Sequence, residues 1–164
     1  MRLSYRLVNA LLVLISIIGM SFALYLEHVK GLQPCPLCIF QRLGLIAMGL
    51  IALLALIHNP VSDKLKRAYA FLAGLGMVWS AGVAARQIWL QHLPPDQVPS
   101  CGPGLNYLID VLPLKEVFAE VLTGSGECAK IDWTFLGQPL SVWSCLFFTI
   151  LLLVCIWQML RRYH

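Results

Sequence analysis

Cys35-Pro36-Leu37-Cys38-Ile39-Phe40-Gln41-Arg42-Leu43-Gly44-Leu45-Ile46-Ala47-Met48-Gly49-Leu50-Ile51-Ala52-Leu53-Leu54-Ala55-Leu56-Ile57 reads as a helix that begins at a membrane surface and runs on into lipid. Cys35 suits a helix N-cap, and Pro36 then falls at the first helical position, where proline is favoured. The apolar run over residues 39–57 is close to the roughly 20 residues that a bilayer core requires. Its one charge, Arg42, lies near one end, so that end belongs at the interface.

Three further stretches have the same character: residues 7–26, 69–90 and 142–160. The chain of 164 residues is 59% hydrophobic and only 12% charged, about half the charge of a soluble domain. The expected fold is an all-α membrane protein, a four-transmembrane-helix bundle forming a single membrane domain over residues 1–164. The net charge of +4 is too weak and scattered for a nucleic-acid footprint, and no nucleic acid is expected as a partner.

Lysines and arginines set the orientation. Arg2, Arg6, Lys64, Lys66, Arg67, Arg161 and Arg162 fall at the two termini and in the 58–68 loop; Lys30, Lys115 and Lys130 fall in the other two loops, a split of seven to three. Positive charge collects on the cytoplasmic side, so both termini are expected there. Loops 27–38 and 91–141 then face the opposite compartment. Arg2, Arg6 and the Ser21-Phe22-Ala23 sequence give the first span some likeness to a signal peptide. Its apolar run continues to Leu26, long for a signal segment, and it is expected to remain as an uncleaved span.

The 91–141 loop is broken by Pro94, Pro95, Pro99 and Pro103 and by glycines, and most of it is expected to be irregular. One amphipathic helix fits between Pro113 and Gly124. Leu114, Val117, Phe118, Val121 and Leu122 share one face, with Lys115, Glu116 and Glu120 on the other. Such a helix can lie on the membrane surface or pack on top of the bundle. In the third span Gly76, Ser80 and Ala84, and likewise Ala73, Met77, Ala81 and Ala85, recur every four positions, a spacing that lets helices approach closely in lipid.

The six cysteines sort by location. Cys35, Cys38, Cys101 and Cys128 all fall on the non-cytoplasmic side, an even set suited to an oxidising compartment. Cys145 and Cys155 lie inside the fourth span and read as small apolar residues. Cys38 falls in the first helical turn, near unpaired backbone N–H groups and the positive end of the helix dipole, with Arg42 on the same face. Both effects favour the reactive thiolate. The opposing reading is a structural disulfide holding a loop, which gains nothing from such stabilisation. A c-type haem needs histidine after the second cysteine, where this chain has Ile39. A zinc site needs a second ligand pair at metal spacing, and Cys101 and Cys128 are 27 positions apart; a site assembled in space from all four remains a reading. Cys101 and Cys128 also look like a second disulfide. As a purely structural staple of this loop it contributes roughly 3–4 kcal/mol; as a functional one, it is exposed to another protein.

Several pieces together resemble the disulfide bond formation protein B (DsbB) family of bacterial inner membranes. They are Cys35-Pro-Leu-Cys38-Ile-Phe-Gln-Arg42, the Cys101 and Cys128 pair, Gly126-Glu127-Cys128-Ala129, Trp133-x-Phe135-Leu136-Gly137, and Trp143 opening the last span. The resemblance covers nearly the whole chain, and its route through quinone keeps the bacterial periplasm oxidising. It implies a thiol:quinone oxidoreductase of the inner membrane, with the redox cysteines and the large loop on the periplasmic side. A periplasmic thioredoxin-fold, DsbA-like partner attacks Cys101–Cys128, and Cys101 carries the mixed disulfide. Electrons then pass through a Cys35–Cys101 bridge to Cys35–Cys38, and from Cys38 to ubiquinone or menaquinone. Arg42 is implied near the quinone oxygens; Arg86 and His92 either line the quinone site or stabilise loop geometry, and Trp143 either stacks near the quinone or serves as an interface tryptophan; no metal is implied. Two other classes remain beside it: a membrane scaffold stapled by disulfides, and a transmembrane electron conduit without quinone chemistry. The conduit would have only Cys145 and Cys155 as mid-membrane relays, and neither belongs to a C-x-x-C pair.

Overall fold

A computed structural model describes residues 4–94, 96–99, 105–124, 126–131 and 133–161. Four long helices carry the fold: α1 (Tyr5–His28), α2 (Pro36–His58), α3 (Asp63–Gln91) and α7 (Leu140–Leu160), all long and apolar enough to cross a membrane. Three short helices, α4 (Leu105–Val111), α5 (Leu114–Thr123) and α6 (Gly126–Ala129), lie between α3 and α7. A two-stranded antiparallel hairpin, β1 (Thr134–Phe135) and β2 (Gln138–Pro139), leads into α7.

Local chemistry sets the helix ends. Ser4 accepts a hydrogen bond from the Leu7 N–H at 3.2 Å, the usual side-chain N-cap. Cys35 caps α2, and Pro36 follows in its first turn. Asn59 closes α2 in the left-handed conformation, φ 40°. The helices outrun the apolar stretches, most of all at α3, which begins at Asp63 rather than at residue 69. Backbone hydrogen bonding continues through the headgroup zone, where Lys64, Lys66 and Arg67 can meet water.

Packing runs from α1 to α2, from α2 to α3 and from α3 to α7. The mid-bundle core holds Leu12, Leu45, Met48, Ala73, Met77, Phe148, Leu151 and Cys155. Large apolar side chains such as Leu14, Ile17, Leu50, Leu54, Leu75 and Leu153 are exposed on the outer faces, as a bundle solvated by hydrocarbon requires. Polar bonds tie the helices across their seams. Ser16 Oγ donates to the Leu45 carbonyl at 3.0 Å, Ser80 Oγ to the Gln41 carbonyl at 2.9 Å, and Trp79 Nε1 to the Phe40 carbonyl at 3.2 Å. Small residues on α2 and α3 permit this approach.

A second core sits at the other end of α2 and α3. Val117 and Val121 of α5 are buried there with Leu37, Phe40, Val83 and Leu90, and Phe118 meets Phe40 edge-on at 5.0 Å. Of the two placements open to the amphipathic helix, the observed one is on top of the bundle. Gly124 ends it at φ +84°, and a Cβ there would stand 2.3 Å from Leu90 Cδ1. The loop is also more regular than expected. α4 fits between the glycines and Pro113, and Leu136 and Gly137, both at positive φ (51° and 77°), form the hairpin turn.

Candidate functional site

Pro36 starts α2, and the start of that helix brings two cysteines together. The Cys35 and Cys38 sulfurs stand 2.9 Å apart. The Cys38 N–H points at the Cys35 sulfur at 3.4 Å. The helix N-terminus is therefore directed at the capping Cys35 as well as at the turn that holds Cys38, where the sequence suggested Cys38 alone.

Cys128 completes the group. α6 buries it in the same core as Cys35, with its thiol in hydrogen-bonding reach of the Cys35 thiol. Hydrogen bonding with Cys128, then with Cys38, and then burial push the Cys35 thiol well above the ordinary thiol range. In the dithiol state Cys35 thus keeps its proton. Cys101, and with it the bridges Cys35–Cys101 and Cys101–Cys128, lies outside the described residues.

Gln87, on α3, is the main polar neighbour of the pair. Its Nε2 lies 3.5 Å from each of the Cys35 and Cys38 sulfurs. Its Oε1 accepts from Gln41 Nε2 at 2.8 Å. Arg42 shares the Cys38 face of α2, as the spacing requires, but its guanidinium turns to α1. There it forms an ion pair with Glu27 and donates to the Ala23 carbonyl at 3.4 Å. The side chain is long enough to span the α1–α2 seam, and a charged carboxylate is a stronger acceptor than a neutral group.

Between α1 and α7 lies a cavity of about 580 Å³. Cys35, Cys38, Gln41, Arg42, Gln87 and Trp143 are on its wall, and Ile15, Ile18, Phe22, Phe147 and Phe148 extend it along the bundle. A few polar groups at one end of a long apolar slot suit a flat polar head with a hydrocarbon tail. Trp143 is fixed by its Nε1, which donates to the Phe135 carbonyl at 3.0 Å. The two other positions implied by the resemblance are absent from this wall. Arg86 donates to the Leu122 and Thr123 carbonyls at 3.2 and 3.0 Å, stacks over Trp89, and so ties down the end of α5. His92 caps α3, with Nδ1 2.8 Å from the Ile88 carbonyl. Among the described residues no group of His, Cys, Asp and Glu is arranged to hold a metal ion.

Sequence reasoning missed Gln87, Gln41 and Glu27. A signal existed: polar residues inside membrane helices almost always face the bundle interior or a cavity. Gln41 and Gln87 carry that signal as amides within α2 and α3, and Glu27 carries it as a carboxylate at the end of α1.

The profile of a family described as "Disulfide bond formation protein DsbB" matches residues 5–158. Proteins with the name "Disulfide bond formation protein B" are similar over almost the full chain. That of Acinetobacter baumannii is 74% identical over 163 residues, covering 99% of this chain and 95% of its own. That of Acinetobacter baylyi is 71% identical with the same coverage. That of a Psychrobacter species is 46% identical over 164 residues, covering 98% and 96%.

Proposed function

The chain belongs to the disulfide bond formation protein DsbB family, and we propose that it passes electron pairs from a periplasmic thioredoxin-fold dithiol protein to a membrane quinone. It is a membrane oxidoreductase of disulfide formation. The finer reading rests on one observation: three thiols, Cys35, Cys38 and Cys128, share one core, and two of them, Cys35 and Cys38, line the polar end of an apolar cavity.

The exchange runs as follows. A thiolate of the DsbA-like partner attacks Cys101 of the Cys101–Cys128 disulfide, and Cys128 leaves. The second partner thiol resolves the mixed disulfide, so the partner is oxidised and Cys101 and Cys128 are reduced. Cys128 then attacks Cys35; a Cys35–Cys128 bond forms, the Cys35–Cys38 bond breaks, and Cys38 leaves as thiolate. The contact of Cys35 with Cys128 supports Cys128 as a group that meets Cys35. Attack of Cys101 on Cys128 restores Cys101–Cys128 and leaves Cys35 and Cys38 as the dithiol. Bound in the cavity, ubiquinone or menaquinone supplies an acceptor for two electrons and two protons. Arg42, Gln41 and Trp143 would hold its head, and the α1 and α7 side chains its tail. The charge distribution supports N-in, C-in topology in the bacterial inner membrane, with the cysteine-bearing end periplasmic.

The test is purified protein with a soluble quinone and a reduced thioredoxin-fold partner. One quinone reduced per two partner thiols oxidised is the expected stoichiometry. Partner oxidation with no quinone consumed would overturn the reading. In Arg42→Ala the KM for quinone should rise about tenfold or more, the worth of a hydrogen bond to a charged group, while both disulfides still form. Failure of the disulfides to form would make Arg42 a structural residue that holds α1 on α2 through Glu27.

A further inference from the structure

We propose that Gln87 is a catalytic residue of the thiol exchange: its amide, turned by Gln41, donates to the Cys38 sulfur as that sulfur leaves the Cys35–Cys38 disulfide, making the disulfide a stronger oxidant. The proposal rests on the exchange path above and deepens it.

The amide orientation carries the argument. Gln87 is buried, and each end of its amide is engaged. Gln41 Nε2 donates to Oε1 at 2.8 Å, so the oxygen is committed to α2. The nitrogen is thereby turned to the sulfurs, with Cys35 and Cys38 both at 3.5 Å. The Cys38 thiol also donates to the Gln87 oxygen, over the longer distance of 3.8 Å. Gln41 is buried, and its backbone carbonyl accepts from Ser80 Oγ at 2.9 Å, which holds this turn of α2 against α3. With its oxygen held by Gln41 at the shorter distance, Gln87 presents its N–H groups to the two sulfurs.

What those N–H groups do depends on the redox state. A disulfide sulfur is a weak acceptor, whereas a thiolate is charged, and hydrogen bonds to charged groups are about twice as strong as neutral ones. Leu37, Phe40, Val83 and Leu90 pack beside the sulfurs, and the low local polarity strengthens a hydrogen bond to a charged sulfur. When Cys128 attacks Cys35, the electron pair of the broken bond goes to Cys38, and one Gln87 N–H is already aimed there. The other N–H faces Cys35 and holds it as it changes partners. The interaction is stronger after bond breaking than before, which is the condition for both a faster step and a shifted equilibrium.

The test needs neither quinone nor partner. In full-length protein carrying Cys101→Ser and Cys128→Ser, Cys35–Cys38 is the disulfide under study. Its equilibrium with graded dithiothreitol is read by alkylation and mass. Gln87→Leu should disfavour reduction about tenfold, a potential about 30 mV more negative by the two-electron conversion. Gln41→Leu should move it the same way by less, and the double variant no further than Gln87→Leu alone, because Gln41 acts through Gln87. An unchanged potential in folded Gln87→Leu protein would overturn the proposal, and additive effects would overturn the orienting role of Gln41. If Gln87→Leu does not fold, Gln41→Leu decides: an unchanged potential rejects the proposal. Failure of quinone reduction by the parent protein would reject the proposed function and leave this measurement intact.

Discussion

Cys38→Ser is expected to reduce quinone turnover to background while partner oxidation stops after one round. The two readouts part company because of where the sulfurs lie. Cys35 is buried between Cys38 and Cys128, and Cys38 is the more exposed of the C-x-x-C pair on the cavity wall. A serine hydroxyl forms no disulfide and is no thiolate, so the variant has no sulfur of its own at position 38 to deliver electrons. Cys35 and Cys128 remain in contact, and the proposed Cys101–Cys128 disulfide does not involve position 38, so one equivalent of partner dithiol should still be oxidised. Stopped-flow partner fluorescence with quinone absorbance in the same mixture separates the two. Sustained quinone turnover in Cys38→Ser would place the electron exit elsewhere and reject the path through Cys35–Cys38. Cys145→Ser is the useful companion, because Cys145 lies in α7 away from the three clustered thiols, and its turnover should match the parent.

What the sequence made legible, and what it did not, divides by the range of the interactions. The four membrane helices follow from apolar length, a local property, and the start of α2 from Cys35 with Pro36; the caps at Ser4 and Asn59 come from the structure alone. The α5 helix between Pro113 and Gly124 follows from periodicity and two breakers. Its docking on the bundle does not, because Val117 and Val121 meet Phe40 and Leu90 through tertiary contact that no spacing encodes. The same holds at the site. The i,i+4 relation put Arg42 on the Cys38 face, yet the guanidinium's partner is Glu27, fifteen residues back on another helix. Gln87 lies 49 and 52 positions from the two cysteines it touches. Family likeness supplied the chemistry of the cysteines; only the three-dimensional arrangement shows that Gln87, rather than Arg42, donates to them.

Gly44→Ala is expected to destabilise the bundle by about 1–3 kcal/mol, the usual cost of overpacking, and to slow thiol exchange with it. A Cβ at this position would stand 2.1 Å from Ser80 Oγ and 2.6 Å from the Gly76 carbonyl oxygen. Ser80 can rotate away, but only by giving up its bond to the Gln41 carbonyl. The Gly76 oxygen is backbone and cannot turn aside, so α2 and α3 must separate or slide. Gly49 makes an instructive contrast: its added Cβ would meet only Ser16 side-chain atoms, the nearest at 2.4 Å, and a rotating serine can relieve part of that clash. Gly82, with nothing within 4 Å, provides the control, and Gly82→Ala should stay within about 0.5 kcal/mol of the parent. The measurement is the unfolding midpoint in detergent together with the rate of Cys35–Cys38 reduction. The two should fall together in Gly44→Ala, because the residues that hold the α2–α3 seam closed, Ser80 and Gln41, are those that hold Gln87 against the sulfurs. Parental stability in that variant would mean that the seam is looser than Gly44 and Gly76 make it, and the Ser80–Gln41–Gln87 support would lose its foundation.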